Sequence, residues 1–149
     1  MEGPFGLKAL IKSFLLLAAS VSLAAAPAVA GTCGGHPALD AQQIRKALEG
    51  MTVCVGAAGL WESQEFHKPN GDVIDWKRGP LDSSDPTAKV GVWAVLSLGS
   101  DAAVSYRYGA EESSFAVAVA NSLAYFCPPG SDHVEVTARL IAGQHACGS

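Results

Sequence analysis

Trp61 to Pro80 reads WESQEFHKPNGDVIDWKRGP. Lys68-Pro69-Asn70-Gly71-Asp72 within it is a turn sequence: Pro69 presets φ at the second turn position and Gly71 supplies the left-handed residue. The reading is a type I turn closed by a glycine bulge, a three-residue hairpin loop. A two-residue Asn-Gly turn would instead place Pro69, which lacks an N–H, in the closing pair. The chosen register sets Lys68 opposite Asp72, Phe66 opposite Ile74, Gln64 opposite Trp76 and Glu62 opposite Arg78. Opposite charges and apolar groups thus fall into cross-strand pairs. The other face carries Trp61, Ser63, Glu65, His67, Val73, Asp75 and Lys77, with Glu65 facing Asp75.

Outward from this hairpin the pattern stays strand-like. Eight short segments, 52–57, 60–68, 72–78, 90–98, 102–109, 113–120, 122–127 and 133–141, are separated by Gly, Pro, Asn and Asp clusters. Val104, Tyr106 and Tyr108 alternate with Ser105 and Arg107; Val134, Val136, Ala138 and Leu140 alternate with Glu135, Thr137 and Arg139. This predicts a mainly β fold, an antiparallel up-and-down meander of about eight strands that closes as a barrel or packs as a sandwich. Parallel βαβ units are excluded, because no helical stretch lies between the strands. One short helix precedes the meander, about Asp40 to Glu49. Asp40 is its N-cap, Gln43 completes a capping box, and Leu39, Ile44, Ala47, Leu48 and Met51 form the apolar stripe. The helix is too short to stand alone and should cap or flank the sheet. Gly34 to Pro37 reads as a flexible lead-in.

Residues 1–30 have the form of a secretory signal peptide. Lys8 and Lys12 are the positive region, Phe14 to Ala26 the apolar run, and Ala28-Val29-Ala30 the cleavage site. An uncleaved anchor is the competing reading, since Ile11 to Ala30 is nearly long enough to span a bilayer; Pro27 and the small residues beside it favour cleavage. Residues 31–149 then form a single domain, secreted or periplasmic, with no membrane attachment after cleavage. Loss of Lys8, Lys12 and Glu2 takes the net charge from −4 to −5. Without a basic patch, nucleic acid is excluded as a partner. Cys33, Cys54, Cys127 and Cys147 all lie beyond residue 30, and an even count in an exported domain reads as two disulfides. Cys54–Cys147 ranks slightly ahead of Cys127–Cys147, because the last strand of a meander returns toward the first. No Cys or His spacing suggests zinc. Asp82 and Asp85 in the loop from Gly79 to Lys89 match no calcium-loop spacing, and Asx turns ahead of Pro86 account for them. No metal and no cofactor is expected.

Gly59-Leu60-Trp61 leads into the second strand and Val90-Gly91-Val92-Trp93 into the fourth. With the helix and the eight-strand meander, these resemble lipocalin-like (calycin) β-barrels. The Gly-x-Trp element comes one strand later than in that family, and the helix precedes the barrel instead of following it. The pattern WExQExH…DWKRGP…DPT…VGxW also resembles small exported bacterial proteins without an assigned role. The resemblance implies a small barrel with room for an internal ligand, and no reaction.

Glu62, Gln64, Phe66, Ile74, Trp76 and Arg78 are the candidate ligand residues, an apolar inner face with polar groups toward the open end. Glu65, His67 and Asp75 are the alternative polar site, a carboxylate pair with a histidine that could divide acid from base work. No catalytic residue is assigned, and Ser113-Ser114 has no nucleophile-elbow context. Trp61, Trp76 and Trp93 read as core or rim; His36, His133 and His145 lie near loops or ends. The expected role is a binding or interaction module for a small apolar ligand or a partner protein. The alternatives are an enzyme using the Glu65/His67/Asp75 face and a structural envelope protein without a ligand. Mass spectrometry of the protein from its native envelope is expected to find a chain that begins at Gly31; a retained Met1 would contradict the signal-peptide reading.

Overall fold

The computed structural model describes residues 31–76, 81–84 and 86–148. The predicted signal peptide and cleavage site therefore lie outside the described residues, as do Lys77, Arg78 and Asp85. The order of elements is β1 (Thr32–Cys33), β2 (His36–Pro37), α1 (Ala41–Leu48), β3 (Met51–Ala57), β4 (Leu60–His67), β5 (Asp72–Asp75), β6 (Ala88–Leu98), β7 (Asp101–Tyr108), β8 (Glu111–Ala120), β9 (Leu123–Cys127) and β10 (Val136–Ala142). Strands β3 to β10 pair antiparallel in sequence order, and β10 returns to β3 to close an eight-stranded barrel. The barrel, not the sandwich, is the outcome.

The β4–β5 hairpin has the register its turn chemistry dictates. Phe66 is opposite Ile74 and Glu65 opposite Asp75. The Gly71 N–H donates to the Lys68 carbonyl at 3.0 Å, and the Lys68 N–H to the Asp72 carbonyl at 2.9 Å, with Gly71 at φ 92°. The helix is also where the capping box puts it: the Gln43 N–H donates to Asp40 Oδ1 at 2.8 Å, and the Asp40 N–H to Gln43 Oε1 at 2.9 Å.

The inside of the barrel is set by β3. Val53 and Val55 point into the core, and their partners on β4 are Glu65 and Ser63. Side chains alternate along a strand, so Ser63, Glu65 and His67 face inward and Gln64 and Phe66 face outward. The expected apolar inner face of Phe66, Ile74 and Trp76 is therefore an outer face. The reason lies in the C-terminal tail, which gives that outer face a cover. Thr52 Oγ1 donates to the Gly143 carbonyl, the Cys147 N–H donates to Gln64 Oε1 at 2.6 Å, and Cys54 is bonded to Cys147. A register shift between Val55 and Gly56 leaves Glu62 as an extra residue and turns Trp61 outward. There the Trp61 indole lies under the Arg139 guanidinium and donates to the Gly148 carbonyl.

The expected lead-in is a structured hairpin. Gly34 and Gly35 both have positive φ, 62° and 75°, as a two-residue primed turn requires, and Cys33 pairs with His36 across it. Cys33 is bonded to Cys127, and the pair is buried with Ala118 on the outside of β8 and β9. The chain then passes to α1 where β7 and β8 part: their pairing ends at Val104–Phe115, and the Val117 carbonyl accepts from the Leu39 N–H at 2.7 Å instead.

Helix α1 stoppers one end of the barrel. Ile44 and Leu48 are fully buried in one core with Val53, Val73, Val104, Val117, Ala124 and Ala138. Small side chains on the strands leave the space that the helix fills. Ile44→Ala should lower the unfolding free energy by about 2–5 kcal/mol through the lost burial and the cavity left behind; urea unfolding of the oxidised protein measures it.

Candidate ligand site in the barrel mouth

Among the described residues, nothing closes the end of the barrel opposite α1. A cavity of about 270 Å³ lies there, lined by Val53, Val55, Phe115, Phe126 and Val136 on one side and by Ser63, Glu65, His67, Tyr106, Tyr108 and Ser113 on the other. The strand order explains the division. β4 and β7 contribute the polar groups, whereas β3, β9 and β10 contribute apolar ones.

At the floor of the polar side His67 is buried between Trp93 and Tyr106, with ring centroids 5.3 and 5.4 Å away, both edge-on. Its Nδ1 lies 3.1 Å from the Glu65 carbonyl, which can only accept, so Nδ1 carries the proton. Nε2 is then the acceptor for the Tyr106 hydroxyl at 2.8 Å. Burial holds the imidazole neutral, with its pKa lowered from 6.5 to about 4. The same burial raises the Tyr106 phenol well above its ordinary value.

Nearer the opening, the Tyr108 hydroxyl donates to Glu65 Oε2 at 2.6 Å. Burial is the largest influence on Glu65 and raises its pKa; hydrogen bonds from Tyr108 and Ser63 oppose that rise, and the Asp75 charge adds to it. The Tyr108 ring stacks on Tyr106 at 6.2 Å. It lies against Gly91, where a Cβ would come within 2.8 Å of the ring and 2.6 Å of the Arg107 carbonyl. Gly91, read in the sequence only as part of a Gly-x-Trp element, thus makes room for Tyr108.

Of the candidate residues, the structure brings Glu65 and His67 to the cavity wall, with Asp75 paired opposite Glu65. Glu62 is exposed at the bulge, Gln64 is buried under the tail, and Phe66, Ile74 and Trp76 are half-buried away from the cavity. Arg78 lies outside the described residues. The sequence reading missed Tyr106, Tyr108, Phe115 and Phe126 as lining residues. Their signal was the alternation along β7, β8 and β9, which places them on one face but does not say that the face borders a cavity. Asp82 accepts hydrogen bonds from Ser84, as an Asx turn does. Among the described residues no group of three His, Cys, Asp or Glu side chains lies close enough to hold a metal ion. No family model, curated protein or solved structure matches the chain.

His67 makes stability acid-sensitive. Between its ordinary pKa of 6.5 and its folded value of about 4, the unfolded chain binds a proton that the folded chain does not. Stability from this group is complete above pH 6.5 and falls as pH drops toward 4, by about 3 kcal/mol across the window. The raised pKa of Glu65 acts in the opposite sense. His67→Gln, which keeps an acceptor for Tyr106, should be less stable than the wild type at neutral pH. Its unfolding free energy should also vary less between pH 6.5 and 4, measured by urea titration at each pH.

Proposed function

We propose that this protein is an exported, lipocalin-like barrel that binds a small molecule in its open mouth. The cavity carries the reading: an apolar wall of Val55, Phe115, Phe126 and Val136 faces a few fixed hydrogen-bonding groups, Glu65, Tyr108 and Ser113. Apolar walls with sparse, placed polar groups are what small-molecule recognition needs. At about 270 Å³ the space suits a compact ligand of one ring or a short branched chain, and not a long lipid. Two disulfides, Cys33–Cys127 and Cys54–Cys147, agree with folding in an oxidising compartment, as the predicted signal peptide implies. Among the described residues no helix is long and apolar enough to cross a membrane.

Catalysis is the second reading, and Glu65 supports it, since a carboxyl with a raised pKa in a cavity is a candidate acid–base group. His67 adds little to it, because both ring nitrogens are engaged and burial keeps it neutral.

Ser113 is exposed at the rim, so Ser113→Trp can cover the opening without overfilling the core. Indole, uncharged and compact with two fused rings, is the probe. The wild type should bind it saturably by calorimetry or NMR, and Ser113→Trp should bind it at least about tenfold more weakly with its melting temperature kept. Equal binding by the two proteins would place the site elsewhere.

A further inference from the structure

Among the described residues, no cation is paired with the Glu65 carboxylate at the mouth. Glu65 is half-buried and lines the cavity. Its partners are hydroxyl donors, Tyr108 at 2.6 Å and Ser63. The described ion pairs lie elsewhere, Arg45 with Glu49 and Lys89 with Asp72. His67, the one basic group among the described residues of the cavity wall, is neutral and bonded to Tyr106. Asp75, opposite Glu65 in the hairpin, adds a like charge. A carboxylate away from bulk water favours a cation close by.

The rings around Glu65 favour one too. Tyr106 and Tyr108 stack at 6.2 Å, Phe115 lies 6.3 Å from Tyr106, and Phe126 packs edge-on to Phe115 at 6.1 Å. Aromatic faces attract an ammonium group, most strongly where water is excluded. Val53, Val55 and Val136 offer it no polar partner and suit a hydrocarbon part. An anion would meet the Glu65 carboxylate as a like charge. A neutral hydrogen-bond donor would leave the carboxylate's charge uncompensated.

From this we propose that the barrel mouth takes a small apolar amine, its protonated nitrogen on the Glu65 carboxylate and its hydrocarbon part against Phe115, Phe126 and Val136. The inference rests on the mouth being a ligand site and adds the charge of the ligand. An ammonium at Glu65 would also reverse the burial effect that raises its pKa.

Three one-ring probes of similar size separate the two claims: benzylamine, benzyl alcohol and benzoate, titrated at neutral pH and low salt into the oxidised protein. Benzylamine should bind at least about tenfold more tightly than benzyl alcohol, because charge-assisted hydrogen bonds are roughly twice as strong as neutral ones, and benzoate weakest of all. In Glu65→Gln the amine should fall to the level of the alcohol measured in the same variant. Ser63→Lys is the second variant: it supplies an ammonium from the chain beside Glu65, and the amine preference should vanish there as well. If benzyl alcohol and benzylamine bind the wild type equally, or if both variants keep the preference, the charge assignment is overturned while the mouth remains a ligand site. If none of the three probes binds the wild type, the ligand site itself is refuted, and the amine with it.

Discussion

The pairing of β10 with β3 is the constraint on which the rest of this structure depends. Five residue pairs, from Ala138–Val55 to Ala142–Met51, join the last strand to the first of the barrel. Closure removes both sheet edges, which would otherwise present unpaired backbone groups. It also creates an inside whose width follows from the strand number, and an inside must be filled. The strands supply mostly Val and Ala at one end, Val53, Val104, Val117, Ala124 and Ala138. That end is completed by Ile44 and Leu48 from α1. No second stopper serves the other end among the described residues, and the cavity is the result.

The two disulfides fasten the terminal segments to the outside of the same barrel. Cys33–Cys127 fixes the β1–β2 hairpin over β8 and β9, with a sequence separation of 94. Cys54–Cys147 fixes the tail over β3 and β4, with a separation of 93. Loops of that length lose much freedom when closed, so each bond is worth about 2–4 kcal/mol against the unfolded chain. The tail is what makes the outer face of the hairpin usable for Gln64, whose Oε1 accepts from the Cys147 N–H. It therefore decides which face of the β4–β5 hairpin is free to look inward.

Strand number, capped helix and hairpin register were legible because each has a local cause. Asp40 and Gln43 mark a helix start wherever they occur three residues apart before an apolar stripe, and Pro69-Asn70-Gly71 has few turns open to it. The orientation of the hairpin was not legible. Phe66, Ile74 and Trp76 formed the more apolar face, and a local rule sends that face inward. The contrary answer depends on Cys147, more than 80 residues away from Gln64, whose side chain accepts its N–H. Tyr106 and Tyr108 were visible as an alternating pair, but the cavity beside them depends on where α1 stops filling the barrel, a length set by three-dimensional packing. Gly34-Gly35 did carry a local signal, that of a primed hairpin turn, which the flexible lead-in reading passed over.

The contrast between the two ends of the barrel bears on whether its open end has a purpose. A mouth serving stability alone would be closed by large apolar side chains from the strands, as α1 closes the far end. The positions where such residues would stand carry Ser63, Gly91 and Ser113. Glu65 between them loses hydration without gaining a cation from the described residues, and a buried charge in that state destabilises a fold relative to a hydrophobe of similar size. Tyr108 and Ser63 offset part of the loss through their hydrogen bonds, and Gly91 in turn gives Tyr108 its place. Three positions thus support one carboxylate that folding would do better without. Such an arrangement is understandable where the missing interaction comes from outside the chain, and that is the physical ground for reading the mouth as a binding site rather than as a packing defect.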